Sequence, residues 1–526
     1  MDNLPPAAST APEVPKVNPW IVATAVMFAT FMEVLDTTVV NVSLPHIAGS
    51  LSATVNEATW TLTSYLVANA IVLPITGWLA NYFGRKRLLI SAVIGFTIAS
   101  FLCGLAPSLG VLIFFRIIQG ATGGVLQPVS QAVLLEAFPP EDRGKAMAFW
   151  GLGIVVAPML GPVIGGWLTD SYSWRWVFYI NIPVGIVSVL MSTFFLFDPP
   201  YIRRRAGEGI DYWGLGLLAL GVGTIQVVLD KGQQSGWLSS PWVVEFVVIA
   251  TLSLTAFLIH ELMARHPVVD IRVLKKPTYA TGVVLMTMLG FGLYGALVIL
   301  PILLQTLLGY PALDAGIAMF PRGLGSFLMM PLVGIMMSKI DGRRLLLLGT
   351  FGTAASMYLL SVLNLNLSYW NIFWPQFLQG VSMALVFVPL TTITMDPIPI
   401  EGMGNATSIF NLMRNLGGSV GIATATTLVA RAEQRHVALL GANVTPFSAP
   451  AQRLIATLRQ MFISRGVDPV TATRQAYAVV FGMVQQQSSM ISFDYVFGVM
   501  TLVFLAMIPL IFILRRPHRR GAIVIE

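Results

Sequence analysis

Charge is scarce in this sequence. Only 10% of its 526 residues are Asp, Glu, Lys or Arg, against about a quarter in an ordinary soluble domain, and that shortage argues against a soluble enzyme. The single cysteine, Cys103, lies inside an apolar run, where it reads as a packed core thiol with neither a disulfide partner nor a cysteine metal site. The five histidines, His46, His260, His266, His436 and His518, are scattered without ligand spacing, so no metal and no proton relay is assigned to them. A G-x-x-x-x-G-K-[ST] loop is missing, which argues against a pump fuelled by ATP at a phosphate-binding loop of its own. The formal charge of +7 does not mark a nucleic-acid face, because the Lys and Arg residues sit in short loops rather than in a stripe. No cofactor is implied.

Apolar residues fill the space that charge leaves, at 56% of the chain. Runs of about 20 such residues, the length that crosses about 30 Å of hydrocarbon, recur from Trp20 almost to the C-terminus. They predict an all-α integral membrane protein with helices near 20–42, 57–79, 87–105, 109–134, 145–168, 175–197, 210–229, 241–262, 278–305, 312–337, 345–364, 369–395, 404–430 and 490–514. Residues 1–19, with five prolines, read as a disordered tail, and 515–526 as a second one. The first apolar run is too long for a signal peptide and reads as the first membrane helix.

The loops give an orientation. Arg85, Lys86, Arg87, Arg143, Lys145, Arg203, Arg204, Arg205, Lys275, Lys276, Arg343 and Arg344 fall on one side, against Arg175 and Lys231 on the other. The positive-inside rule then puts both termini in the cytoplasm. An internal repeat gives the architecture. Pro74-Ile-Thr-Gly77 with its basic turn returns 257 positions later as Pro331-Leu-Val-Gly334 with Arg343 and Arg344, and Arg116-Ile-Ile-Gln119-Gly120 returns 260 positions later as Gln376-Phe-Leu-Gln379-Gly380. Two parallel six-helix halves follow, at 20–198 and 278–514, with two inserted helices in the linker 199–277. Halves so related define the major facilitator fold, which places a substrate site between them at mid-membrane.

Several motifs carry a closer resemblance. The first helix holds Leu35-Asp36-Thr37-Thr38-Val39-Val40-Asn41-Val42, and the turn after the second holds Gly77-Trp78-Leu79-Ala80-Asn81-Tyr82-Phe83-Gly84-Arg85-Lys86-Arg87. Arg116 precedes Gln119-Gly120, and the fifth helix carries Gly151, Gly153, Pro158, Gly161, Pro162, Gly165 and Gly166. This set resembles the fourteen-helix drug:proton antiporters of the EmrB/QacA group, and the fifth-helix pattern resembles the motif that separates exporters from uptake symporters. Trp374-Pro375-Gln376-Phe377, Pro389 to Thr394 and a long outer segment before the last helix resemble the EmrB-like branch. The resemblance implies proton-driven export of hydrophobic or amphipathic compounds across a bacterial inner membrane. It further implies docking of a periplasmic adaptor of the membrane-fusion type that engages an outer-membrane channel. Asn81 stands where the family usually has Asp, and Glu33 and Arg322 are additional charges.

Five ionisable residues fall inside predicted spans: Glu33, Asp36, Arg116, Arg322 and Arg414. At about 2.5 to 3.5 kcal/mol for a central Asp, Lys or Arg they cost on the order of 10 kcal/mol together, which favours a functional reading. At about 1.5 Å rise per residue, Asp36 and Arg116 come out near the same level, roughly 6 and 10 Å below the outer face, with Glu33 one turn deeper than Asp36 on the same face. Asp36, with Glu33 and Arg116, is therefore the expected proton-coupling group; the alternative is an ion pair that fastens two helices. Arg322 and Arg414, with Gln119, Gln127, Asn41 and Tyr294, are candidates for the substrate cavity; the two arginines suggest lipophilic weak acids, or else they pair with backbone carbonyls or with Glu33 and Asp36. Gly77, Gly84, Arg85 and Lys86 form a candidate cytoplasmic gate, or else merely fix topology. Small residues in the fifth helix permit a close, bent helix contact. The segment 431–489 reads as an outer loop containing an amphipathic helix over 473–489. A symporter or exporter of one specific metabolite is the alternative on the same fold.

Overall fold

The computed structural model describes residues 18–198, 211–264 and 267–514. The two tails, apart from residues 18 and 19, lie outside the described residues, as do Arg203, Arg204, Arg205, His266 and His518. Every regular element among the described residues is helical. The membrane helices are α1 (Pro19–Ser50), α2 (Trp60–Phe83), α3 (Arg85–Leu105), α4 (Leu109–Ala137), α5 (Arg143–Ser171), α6 (Trp176–Phe195), α7 (Tyr212–Lys231), α8 (Pro241–Met263) and α9 (Pro277–Leu307). There follow α10 (Ala312–Lys339), α11 (Gly342–Leu360), α12 (Tyr369–Met395) and α13 (Met403–Gly441). After these come the short α14 (Ala449–Ser464) and α15 (Pro469–Ile511).

In hydrocarbon each backbone N–H and C=O needs a partner within its own segment, so apolar runs of this length close into helices. Twelve helices are long and apolar enough to cross a membrane among the described residues. The two remaining expected positions are filled by α11, which opens on Arg343 and Arg344, and by α13, which carries Asn411, Arg414 and Asn415 inside. Those polar residues dilute the apolar signal without shortening the helix. Carboxylate and amide side chains start several helices: Asn18 accepts from Trp20 N, Asp211 from Gly214 N, Asp341 from Arg343 N and Asp468 from Val470 N and Thr471 N.

The packing repeats as the sequence does. α1 lies against α5 and α6 as α9 lies against α13 and α15; α4 packs on α2 and α3 as α12 packs on α10 and α11. These are two bundles of six, α1 to α6 and α9 to α13 with α15. They meet along two seams, α5 against α10, and α2 with α4 against α13. The inserted hairpin α7–α8 packs on the second seam, α7 touching both α2 and α13.

Two boundaries differ from expectation. α1 runs through Pro45 to Ser50, because a membrane helix tolerates proline where neighbouring groups take up the freed carbonyl. The segment 431–489 is not a loop: α13 continues to Gly441, α15 begins at Pro469, and α14 bridges them. The stretch 473–489 is helical, as expected, but continuous with the last span. Polar, helix-compatible residues there lack the apolar pattern by which spans are recognised.

Close backbone approach depends on glycine at the contact of α9 with α13. A Cβ at Gly290 would stand 2.2 Å from the Arg414 carbonyl oxygen, whereas one at Gly216 on α7 would meet nothing within 4 Å. Gly290→Ala should therefore lower the thermal unfolding midpoint in detergent, through an overpacking cost of about 1–3 kcal/mol. Gly216→Ala should leave it unchanged or raise it, since alanine favours a helix interior by about 0.5–1 kcal/mol.

Candidate functional site

Asp36 on α1 and Arg116 on α4 are fully buried, and an Arg116 Nη donates to Asp36 Oδ2 at 2.5 Å. Further hydrogen bonds come from α4 itself and from two more helices, α2 and α6. Gln119 Nε2 donates to Asp36 Oδ1 at 3.0 Å and Asn181 Nδ2, from α6, donates to the same oxygen at 2.8 Å. Arg116 also donates to the Thr61 carbonyl of α2 at 3.0 Å and to Gln119 Oε1 at 2.8 Å, with its guanidinium 4.3 Å from the Tyr65 ring centroid. Moving two ions out of water costs several kcal/mol each, and only mutual attraction with a complete hydrogen-bond set offsets it. Cys103 is buried beside this cluster, its Sγ 3.6 Å from Gln119 Oε1.

One turn along α1, Glu33 accepts from Gln127 Nε2 of α4 at 2.5 Å and from Asn69 Nδ2 of α2 at 3.2 Å. The oxygen of the same Gln127 amide accepts from Arg414 of α13. A carboxylate of one bundle is thus joined to a guanidinium of the other through a single amide. Arg322, on α10, is different: among the described residues its guanidinium has no hydrogen-bond or ion-pair partner, and it lines a cavity of about 40 Å³ between α5 and α10. Asn41 is exposed on α1 beyond Asp36, and Tyr294 is half-buried against Gly418 of α13.

The seams close at the end bearing the basic turns. Gly77 meets the backbone of Gly404 and Asn405, Thr407 Oγ1 donates to the Pro128 carbonyl at 3.1 Å, and Asn411 Nδ2 to Gln131 Oε1 at 2.6 Å. On the other seam Gly334 faces Lys145 and Ala148, and Trp150 stacks on Phe387 at 6.3 Å. The glycines of α5 do separate work. Gly153, Gly161 and Gly165 admit Met27, Thr38 and Val39 of α1, Gly151 meets Met330 and Phe387 of the opposite bundle, Gly166 faces open space, and Pro158 and Pro162 line the Arg322 cavity. At the basic turn, Arg85 pairs with Glu136, and Asp198 Oδ1 accepts from Lys86 N at 2.8 Å. Gly84 adopts φ +87°, a conformation that favours glycine, with the Asp198 carboxylate where a Cβ would go.

A sequence model of the Major Facilitator Superfamily matches residues 26–422. This chain belongs to that superfamily. It is similar to the fatty acid resistance protein FarB of Neisseria gonorrhoeae, 37% identical over 498 residues, which are 94% of this chain and 95% of that one. It is also similar to the multidrug export protein EmrB of Escherichia coli, 36% identical over 502 residues covering 95% and 96%, and to EmrB of Haemophilus influenzae, 38% identical over 495 residues covering 94% and 95%. Among solved structures, the human organic anion transporter MFSD10 superposes with a TM-score of 0.59 at 13% identity over 93% of this chain and all of that one. The proton:xylose symporter XylE gives 0.57 at 15% identity over 93% and 96%. The protein is therefore a multi-pass membrane transporter of the major facilitator superfamily, EmrB-like along nearly its whole length.

Sequence reasoning placed Asp36 and Arg116 at one level; it gave Gln119 to the substrate cavity, whereas Gln119 bonds both members of the pair, and it did not anticipate Asn181, Asn69, Gln131, Asn411, Glu136 or Asp198. Asn69 and Asn181 carry a readable signal, an amide inside an apolar span. Glu136 and Asp198 lie at helix ends, where an acid is unremarkable until its partner is seen. Arg414, expected with Arg322 either to attract acids or to pair with backbone carbonyls or with Glu33 and Asp36, donates to the Gln127 amide that in turn holds Glu33.

Removing one member of a buried pair strands the other charge at about 3–5 kcal/mol, whereas removing both is far cheaper. In a double-mutant cycle on detergent-solubilised protein, Arg116→Met should therefore be much less stable than Asp36→Leu combined with Arg116→Met. Additive losses would show that the two charges do not depend on each other.

Proposed function

We propose that this transporter exports hydrophobic or amphipathic drugs and toxic compounds across a bacterial inner membrane in exchange for protons. The reading rests on the completely buried Asp36–Arg116 pair. A carboxylate in this setting has two states. Ionised, it holds Arg116, Gln119 and Asn181 and so ties α1 to α4 and α6. Protonated, it loses the Coulombic attraction and leaves Arg116 to Thr61 and Gln119. Each state favours a different packing of α1, and a ligand or proton that prefers one packing shifts the population between them.

Glu33 supplies the link to the second bundle. Its protonation weakens the grip on Gln127 and, through that amide, on Arg414, loosening the seam that closes at the basic end. Gly151 of α5, against Met330 and Phe387, lies in the contact along which the bundles seal when no substrate is bound, while Gly153, Gly161 and Gly165 let α1 pack closely on α5; Gly77, Gly84, Arg85 and Lys86 form the latch. Gln127, Asn41, Tyr294, Arg322 and Arg414 belong to the substrate cavity, while Gln119, buried against Asp36 and Arg116, serves the pair. The clustered basic turns orient that end, with both termini, toward the cytoplasm. One charge moved across 100 mV is worth about 2.3 kcal/mol, enough for modest uphill export.

The names of the relatives, multidrug export and fatty acid resistance proteins, support export as the direction. The hairpin of the α13 end, α14 and the α15 start carries exposed apolar side chains, Phe447 at 96% and Phe481 at 59%. That face suits a periplasmic adaptor of the membrane-fusion type, which in turn engages an outer-membrane channel.

The test is proton movement by purified protein in liposomes when a lipophilic drug is added. Wild type should show drug-dependent proton flux and Asp36→Asn none. Equal flux in both would remove Asp36 from the coupling, and absence of flux in wild type would overturn antiport.

A further inference from the structure

Three side chains bond the Asp36 carboxylate, and they differ in how they would answer a proton on it. Arg116 donates to Oδ2 at 2.5 Å, and a guanidinium has donors only, with no atom to accept a carboxyl O–H. Gln119 Nε2 donates to Oδ1 at 3.0 Å, but its other end is held, because Gln119 Oε1 accepts from Arg116 at 2.8 Å and lies 3.6 Å from Cys103 Sγ. Turning that amide would set its N–H groups against the guanidinium.

Asn181 is not held in this way. Its Nδ2 donates to Asp36 Oδ1 at 2.8 Å and to Ser100 Oγ of α3 at 2.9 Å, whereas its Oδ1 is buried with no hydrogen-bond partner among the described residues. Ser100 in turn donates to the Phe178 carbonyl at 2.8 Å, so it does not depend on the Asn181 oxygen. A buried amide oxygen without a donor is costly, and each such group in a folded protein calls for a reason.

The nitrogen and oxygen of an amide are nearly the same size, so a half-turn about χ2 exchanges them without moving a helix. The turned amide places Oδ1 where Nδ2 now lies, between Asp36 Oδ1 and Ser100 Oγ. Against an ionised carboxylate that orientation sets oxygen against oxygen. Against a protonated one, it accepts the O–H. The other titratable groups around the carboxyl are Tyr65, whose ring lies 4.3 Å from the Arg116 guanidinium, Cys103, and Glu33 one turn along α1. Helix α5 carries its charges only at its ends, at Arg143, Lys145 and Asp170. Among the described residues Asp36 Oδ1 is bonded by Gln119 and Asn181 alone, and only the second can reverse its role.

We propose that Asn181 is a positioning residue that serves both protonation states of Asp36, donating through Nδ2 to the carboxylate and, after a half-turn of its amide, accepting the carboxyl O–H through Oδ1. The proton stays on Asp36 Oδ1, and no covalent bond to Asn181 forms or breaks. The proposal rests on Asp36 taking up a proton, as in the exchange reading above, but needs neither a drug nor a gradient.

The experiment is infrared difference spectroscopy between alkaline and acidic buffer, without drug, on the full chain in liposomes, with asparagine isotopically labelled at its side-chain carbonyl. Asp36→Asn identifies the carboxyl band, and the asparagine it introduces does not titrate and cancels in the difference. Asn181→Gln and Asn181→Ser, either of which removes the label from this position, identify the amide band. In wild type, acidification should move the Asn181 carbonyl band to lower wavenumber, as its oxygen gains a donor, and Asp36→Asn should abolish the shift. An Asn181 band that stays in place while the Asp36 carboxyl band appears would overturn the switch alone. Absence of any carboxyl band that Asp36→Asn removes would overturn it together with protonation of Asp36. An intact amide shift in protein that shows no drug-dependent proton flux would support the switch and remove the exchange reading.

Discussion

A carboxylate and a guanidinium held at zero exposure between α1 and α4 constrain everything around them. Neither ion is tolerable there alone, so each must be surrounded by groups that complete its hydrogen bonds. Asn181, Gln119 and the Thr61 carbonyl supply most of these, which draws α2, α4 and α6 around α1. On the proposed reading the same constraint is what a proton acts on, since neutralising one member would change the balance that holds four helices in register.

Movement between states needs surfaces that separate without leaving unsatisfied groups behind. The seams meet this need chiefly with glycine, methionine and short polar contacts. Gly77 faces Gly404, Gly144 faces Met337, and Gly323 faces Met159, so backbones approach closely with little side-chain interlocking to undo. Hydrogen bonds that cross between bundles, such as Thr407 to Pro128 and Asn411 to Gln131, lie on α13 within a few turns of its start. The inserted hairpin adds an asymmetry that a bare pair of bundles lacks, because it fastens one seam and leaves the other to the bilayer.

Much of this was legible in the sequence, for identifiable reasons. Membrane helices announce themselves by apolar length, and the halves by the return of Pro74-to-Gly77 and Arg116-to-Gly120 patterns. The common depth of Asp36 and Arg116 followed from rise per residue; that their helices are neighbours is seen in the structure. What stayed hidden depends on long-range pairing. Glu136 and Asp198 serve the basic turn from positions far along the chain, and nothing local marks them. Asp198 also answers the question raised by Asn81, since a carboxylate reaches this turn from the end of α6 instead of from the turn itself. The extension of α13 to Gly441 and the continuity of 473–489 with the last span were missed because helicity there no longer coincides with apolarity.

The most direct measurement is infrared difference spectroscopy of the purified transporter as a lipophilic substrate is added, reading the protonated-carboxyl stretch. The account predicts that substrate perturbs such a band in wild type and that the component assigned to Asp36 vanishes in Asp36→Asn. Identical difference spectra for the two proteins would mean that Asp36 does not change protonation during the cycle, and the pair would then be a structural tie between α1 and α4.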